Sequence, residues 1–261
     1  MNIEVETNAA PVSGQARPVR ADMRAGHLFY SFAAAVNLVV LFIGFSPFIL
    51  RGLGEGNRII SPNMWAIDFA HGLSITAWYL LLLVQALLMP FGRRRLHTKL
   101  GWVSVALVPI VATLSVITAL HSVRELPDMV LFQIPYPHLL LVMLMQVGVF
   151  VVCATAGILL RKHPGIHRAL LLTASVSLLG GATSRIPWLN DLFGGYVPSG
   201  YFGPIFMWAA ILTILGSLRV GRLDRPLAAG CGLIVISNLV AAAWALTDSW
   251  AHWARVLLRT T

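Results

Sequence analysis

An all-α bundle of about seven membrane-spanning helices is what this sequence predicts, on three observations. Of its 261 residues, 57% are hydrophobic and only 11% are charged, with a mean hydropathy of +0.78. A soluble domain carries about 25% charged residues, so lipid rather than water must cover most of the surface. Apolar runs of about 18 to 25 residues recur along the chain, and at 1.5 Å per residue such a run crosses a hydrocarbon layer roughly 30 Å thick. The basic residues gather in short clusters between those runs. Despite a net charge of +9, that placement is the pattern of helix-flanking anchors and argues against nucleic acid as a partner.

The elements follow in order. Residues 1–27, with Pro11, Gly14 and Pro18, read as a flexible cytoplasmic tail. The first apolar run, 28–50, is too long for a cleavable signal and reads as a retained helix. Further spans are expected at 66–90, 100–120, 136–160, 168–188, 202–218 and 226–247. Two connections are long: 51–63, and 122–137 with Pro127, Pro135 and Pro137. Residues 187–200 form a turn-rich loop with a short interfacial piece, marked by Pro187, Trp188, Asp191, Gly194 and Gly195. The spans make one transmembrane domain over 28–247. Residues 248–261 form an interfacial periplasmic tail with Trp250, Trp253, Arg255 and Arg259 at headgroup level.

Counting Lys and Arg orients the bundle. Thirteen of the nineteen fall in the tail and in the turns after the second, fourth and sixth spans. The other six are Arg51, Arg58, Arg124, Arg185, Arg255 and Arg259. The positive-inside rule places the thirteen in the cytoplasm, so the amino terminus is in and the carboxy terminus out. The expected location is a bacterial inner membrane, crossed several times.

Polar groups at membrane depth are expensive, so each is either a packing contact or part of a site. In the second span His71, Trp78 and Gln85 recur every seventh residue and Asp68 stands one turn before His71, which makes one polar stripe. It reads as a seam hydrogen-bonded to a neighbouring helix or as the wall of a site. In the fifth span Thr173, Ser177, Gly181 and Ser184 form a ridge for close helix contact, and Gly180-Gly181 invites a bend. Asn37 and Asn238 lie near mid-membrane, where hydrogen bonds between helices are expected. Arg185, at the outer end of the fifth span, is an interfacial anchor or a partner for Asp191, Asp68 or a ligand carboxylate.

The histidines add a second pattern. His71 and His138 open the second and fourth spans at one level near the outer face. His97 and His167 open the third and fifth at one level near the inner face. The separations, 67 and 70 residues, suggest a two-helix unit used twice, and the basic run Arg94-Arg95-Leu96-His97 resembles the stretch from Arg161 to Leu170. A b-type haem needs two axial imidazoles across an apolar slot and no attachment motif. The candidate cofactor ligands are therefore His71 with His138 and His97 with His167, with Asp68, Trp78, Gln85 and Arg185 around them. His97 lies about 39 Å of helix beyond His71, so the inner pair also reads as boundary residues touching headgroups. A zinc or copper site from His71, His121 and His138 is the alternative. His121, Arg124, Glu125 and Asp128 are placed to roof the outer site. Cys153 and Cys231 lie inside apolar runs without a CxxC partner, which disfavours cysteine-bound metal and c-type haem.

Two resemblances rest on these residues. Gly44-Phe45-Ser46-Pro47, His71-Gly72-Leu73 with Trp78 and Gln85, Leu96-His97 with Leu100-Gly101, and His167-Arg168-Ala169-Leu170 together resemble a family of bacterial inner-membrane proteins without an assigned activity. That likeness runs to about Arg185 and implies topology only. The histidine layout is similar to that of the two-haem b-type cytochromes that pass electrons from ascorbate across membranes. There one haem sits between the first and third core helices and another between the second and fourth, which implies His71 with His138 and His97 with His167. This chain departs in having seven spans rather than six and in placing its inner histidines so near the surface. The resulting expectation is a haem b or quinone-linked electron-transfer protein working with membrane redox subunits. The alternative is a non-redox accessory subunit or small-solute permease, supported by the lack of HExxH, GxSxG, P-loop or diiron motifs.

Overall fold

The computed structural model describes residues 16–54, 59–194 and 199–258, with side chains from Leu28 onward. Among the described residues, seven helices are long and apolar enough to cross a membrane: Leu28–Arg51, Pro62–Leu88, Arg94–Glu125, Tyr136–Leu159, Pro164–Thr183, Ser199–Val220 and Arg225–Ala245. In chain order the elements are α1 (Ala16–Arg51), α2 (Pro62–Leu88), α3 (Arg94–Glu125), β1 (Val130–Leu131), β2 (Ile134–Pro135), α4 (Tyr136–Leu159), α5 (Pro164–Ser177), α6 (Gly180–Thr183), α7 (Pro187–Leu192), α8 (Ser199–Val220), α9 (Arg225–Ala245) and α10 (Asp248–Leu258).

The expected tail over 1–27 lies outside the described residues up to position 15. From Ala16 the backbone is already helical, earlier than the polar composition suggested. Pro18 falls in the first turn, where its missing N–H breaks no helical bond. The long connection after α3 also holds more order than its prolines implied. Val130 pairs with Pro135 and Leu131 with Ile134 in a small hairpin, turned by Phe132 and Gln133 at positive φ. The Phe132 ring meets Tyr201 of α8 edge-on at 5.5 Å, and that contact holds the turn in a conformation usually left to glycine or asparagine.

Between helices in lipid the hydrophobic drive is lost, and packing plus hydrogen bonds take over. The helix α4 is the hub, packing on α3, α5, α9 and α10. Its Phe150 is wholly buried and takes the Trp78 ring edge-on at 5.0 Å. Trp78 Nε1 donates to Ser175 Oγ at 3.0 Å and the Tyr79 hydroxyl to the Ser175 carbonyl at 2.6 Å. Trp78 is thus the packing seam of α2 against α5. The mid-membrane asparagines bond between helices as expected: Trp208 Nε1 donates to Asn37 Oδ1 at 2.7 Å, and Gln146 Nε2 to Asn238 Oδ1 at 3.1 Å. On the outside of the bundle Phe32, Phe42, Leu80, Trp102, Val152 and Ile236 are exposed, as a lipid-facing surface requires.

The fifth span is broken. Its helix stops at Ser177 and resumes at Gly180, where the Gly180-Gly181 pair predicted a bend. Ser175 and Ser177 hydroxyls turn back onto Leu171 and Ala174 carbonyls, which loosens the ladder on the way to the break. Gly180 is also obligatory for space: a Cβ there would lie 2.6 Å from Gln146 Oε1. A Cβ on Gly44 of α1 would overlap the backbone of Ala182, so α1 and α6 touch backbone to backbone. At the end after α9, α10 buries Trp250, Ala254 and Leu258 and exposes Trp253 and Val256, a layout suited to the headgroup layer.

Candidate functional site

The basic turns after α2, α4 and α8 share one end of the bundle, taken as the cytoplasmic end by the positive-inside rule. Toward the other end α1, α2, α3, α4, α6 and α8 enclose a cavity of about 160 Å³. Phe45, Phe48, Ile75, Met143 and Leu178 supply apolar walls, and Leu126, Met129 and Leu131 close it near the hairpin. Into this apolar shell project Asp68 and His71 from α2, Ser115, Thr118 and Ser122 from α3, Gln146 from α4, and Ser184 and Arg185 from the segment after α6.

Three of these polar groups are buried without a hydrogen-bond partner: His71 Nδ1, Ser115 Oγ and Thr118 Oγ1. The two hydroxyls stand out because Thr173, Ser175, Thr183 and Thr213 all bond to a carbonyl of their own helix. Each orphaned buried group costs about 1–3 kcal/mol, and these gather at one cavity. Arg185 is held by its own backbone, donating from Nη1 to the Gly181 carbonyl, and its guanidinium lies 4.8 Å from the Phe45 ring centroid. It therefore faces the cavity rather than serving as a plain surface anchor.

Sequence reasoning found Asp68, His71 and Arg185 but passed over Ser115, Thr118 and Ser122. Their spacing of three and four puts them on one face of α3, and that stripe was legible. Gln146 was missed as a lone amide within an apolar run. The expected roof is corrected: none of His121, Arg124, Glu125 and Asp128 lines the cavity. Arg124 instead fastens α10, donating from Nη2 to the Leu257 carbonyl at 2.9 Å.

The structure does not bring His71 and His138 together at this cavity. The His138 ring bonds through Nδ1 to the Ala245 carbonyl at 2.5 Å and lies outside the cavity lining. The volume is close to that of an apolar cavity of about 150 Å³ that takes up benzene, so the space has room for one six-membered ring. Among the described residues no three His, Cys, Asp or Glu side chains gather to hold a metal ion, so the expected group of His71, His121 and His138 is not assembled.

His97 and His167 do meet, with ring centroids 6.2 Å apart and planes at 84°. The His97 ring bonds through Nδ1 to the Gln85 carbonyl at 3.3 Å, and the His167 ring to the Gly157 carbonyl at 2.7 Å. A carbonyl only accepts, so each Nδ1 carries the proton. Gln85, Gly157 and Ala245 all belong to the last turns of membrane helices, whose carbonyls lack a helical partner. Three histidines singled out as candidate ligands are thus caps on helix ends, and His71 alone of the four keeps a buried, unpartnered Nδ1. Gln85 is buried with Oε1 unpartnered.

Fold and site define a polytopic helical membrane protein with a small polar cavity set within an apolar bundle. Compared with protein-family models, curated proteins and solved structures, the chain matches none, so the two resemblances rest on the residues quoted for them.

Proposed function

We propose that this integral membrane protein binds the head of a lipid-soluble, ring-bearing molecule of the quinone class in its outer cavity. One observation carries the reading: three unpartnered buried polar atoms, from His71, Ser115 and Thr118, converge on a space the size of a single ring. A quinone head is a six-membered ring with two carbonyl acceptors, and its tail is at home in lipid. The hydroxyls of Ser115 and Thr118 on α3 and the guanidinium of Arg185 are donors for such oxygens, and His71 Nδ1 is a donor or acceptor according to tautomer. Asp68, one turn from His71, lines the same cavity. The phenyl groups of Phe45 and Phe48 supply flat apolar contact to the ring.

The test is titration of the protein in nanodiscs with a short-chain ubiquinone analogue, following tryptophan fluorescence. Wild-type protein is expected to show saturable quenching. His71→Ala and Arg185→Ala each weaken binding about tenfold, and Ser115→Ala with Thr118→Ala costs about 1 kcal/mol per hydroxyl. Unchanged affinity in both His71→Ala and Arg185→Ala, or equal quenching by an alkane lacking the head, sinks the proposal.

A further inference from the structure

At the basic end of the bundle, away from the outer cavity, two arginines share one aromatic ring. Arg168 lies in the second turn of α5 and Arg219 in the last turn of α8. Tyr30 stands at the inner end of the first span. The Arg168 guanidinium carbon lies 5.0 Å from the centre of the Tyr30 ring. That of Arg219 lies 6.0 Å from the same ring and 5.6 Å from Phe29. An arginine serving only as an anchor extends its charged head into water. Here both heads are turned onto rings, and the Nε atom of each is shut off from solvent.

We propose that Arg168 and Arg219 hold the phosphate-bearing headgroup of an anionic phospholipid from the cytoplasmic leaflet. A guanidinium carries five N–H donors, and the buried Nε–H of both arginines has no acceptor. Among the described residues, Asp224 is the one carboxylate at salt-bridge distance from either, 3.2 Å from Arg219 Nη2. Its other oxygen is already engaged, accepting the Leu227 N–H at 3.5 Å as the cap of α9. Two cations therefore stand against one anion at the edge of the lipid, where an unmatched charge is costly. A phosphodiester brings one negative charge and several acceptor oxygens, which the planar arginine fork matches. Arg168 is part-exposed, so the outer edge of its fork is the part a headgroup can reach.

The surroundings select a lipid over a soluble phosphate. Leu28 and Phe32 flank Phe29 and Tyr30 on α1, and Leu218 and Leu223 flank Arg219 and Asp224 in sequence. All four are exposed, which gives acyl chains an apolar surface next to the charged cluster. The net charge of the lipid is selected as well. A zwitterionic headgroup carries its own cation, which would meet the exposed Arg222 and Arg225 of the turn between α8 and α9. A net anionic lipid is drawn to the same turn.

Full-length protein in detergent would be titrated in parallel with dioleoylphosphatidylglycerol, dioleoylphosphatidylcholine and inorganic phosphate, with bound lipid counted by native mass spectrometry. About one phosphatidylglycerol per chain is expected to stay bound under conditions that strip phosphatidylcholine. Arg168→Gln lowers that retention about tenfold, as loss of a charged hydrogen-bond donor does, while the melting temperature without lipid holds. Arg168→Lys keeps the charge and loses the fork, so its retention falls between the two. Arg161→Gln, at an exposed arginine of the same end, retains the lipid as wild type does, which separates a built site from diffuse charge. His71→Ala also retains it, which keeps this site distinct from the quinone reading. Equal retention of phosphatidylcholine, wild-type retention in both Arg168 variants, or an equal loss in Arg161→Gln would overturn the proposal. Displacement of the lipid by inorganic phosphate would overturn it too, by making the site one for a soluble anion.

Discussion

Ser175 shows how one residue in the membrane does two jobs. Its hydroxyl accepts from Trp78 and its carbonyl from Tyr79, so a single position ties α2 to α5. In membrane proteins such bonds average about 0.6 kcal/mol by double-mutant cycle, reaching about 1.7. Trp78→Phe and Ser175→Ala are therefore expected to couple by about that amount in steric-trap or denaturant unfolding; strictly additive effects would show the pair contributes nothing. Gly180 acts by lacking a side chain. Gly180→Ala would push on the Gln146 amide at 2.6 Å and strain its bond to Asn238. A loss of about 1–3 kcal/mol is expected, together with weaker ligand binding; a thermal melt and a quinone titration on one sample check both. These residues were only half visible in the chain. Trp78 lay on the heptad stripe, but which helix would face it followed from packing.

At the scale of elements, the histidine caps and the broken fifth span set the architecture. The His138 bond to Ala245 closes α9 against α4. His138→Asn keeps a donor near that carbonyl and should melt close to wild type. His138→Ala orphans the carbonyl and should lose about 1–3 kcal/mol. Equal melting temperatures for the two variants would remove the capping role. Helix α10 is held by fewer ties: Trp250 Nε1 donates to the Pro137 carbonyl at 3.2 Å and Arg124 to Leu257. Arg124→Ala with Trp250→Phe is expected to raise hydrogen exchange in α10 at least tenfold, leaving α4 protected; matching rises in both helices would mean the bundle itself had loosened. A histidine in the first turn after a membrane hairpin reads from sequence as a candidate ligand or a boundary residue. Its bond to a carbonyl ten or more residues back exists only once the hairpin has closed.

For the whole molecule, the testable matter is which way it sits. With Cys153 and Cys231 changed to Ala, single cysteines at Lys99, Lys162 and Arg222 are expected to react with an impermeant maleimide only after the cytoplasmic side is opened. Cysteines at Arg51 and Asp248 should react in intact cells; the reverse pattern would invert the orientation and put the cavity of His71 and Arg185 at the cytoplasmic end.

The number of spans, their rough limits and the charge asymmetry were all readable from the chain, because length against bilayer thickness and the placement of Lys and Arg are properties of short segments. The break at Gly180, the depth of Asn37 and Asn238 and the polar stripe on α2 were readable for the same reason. Which stripe faces which was not. His71 shares its cavity with Ser115, Thr118 and Arg185 rather than with His138, while His97 and His167 meet. Sequence spacing sets height along a helix, but the rotation of each helix about its axis is decided by steric fit against several neighbours at once. A rotation of half a turn sends the same imidazole from a shared site to a carbonyl cap, and that choice belongs to the assembled bundle.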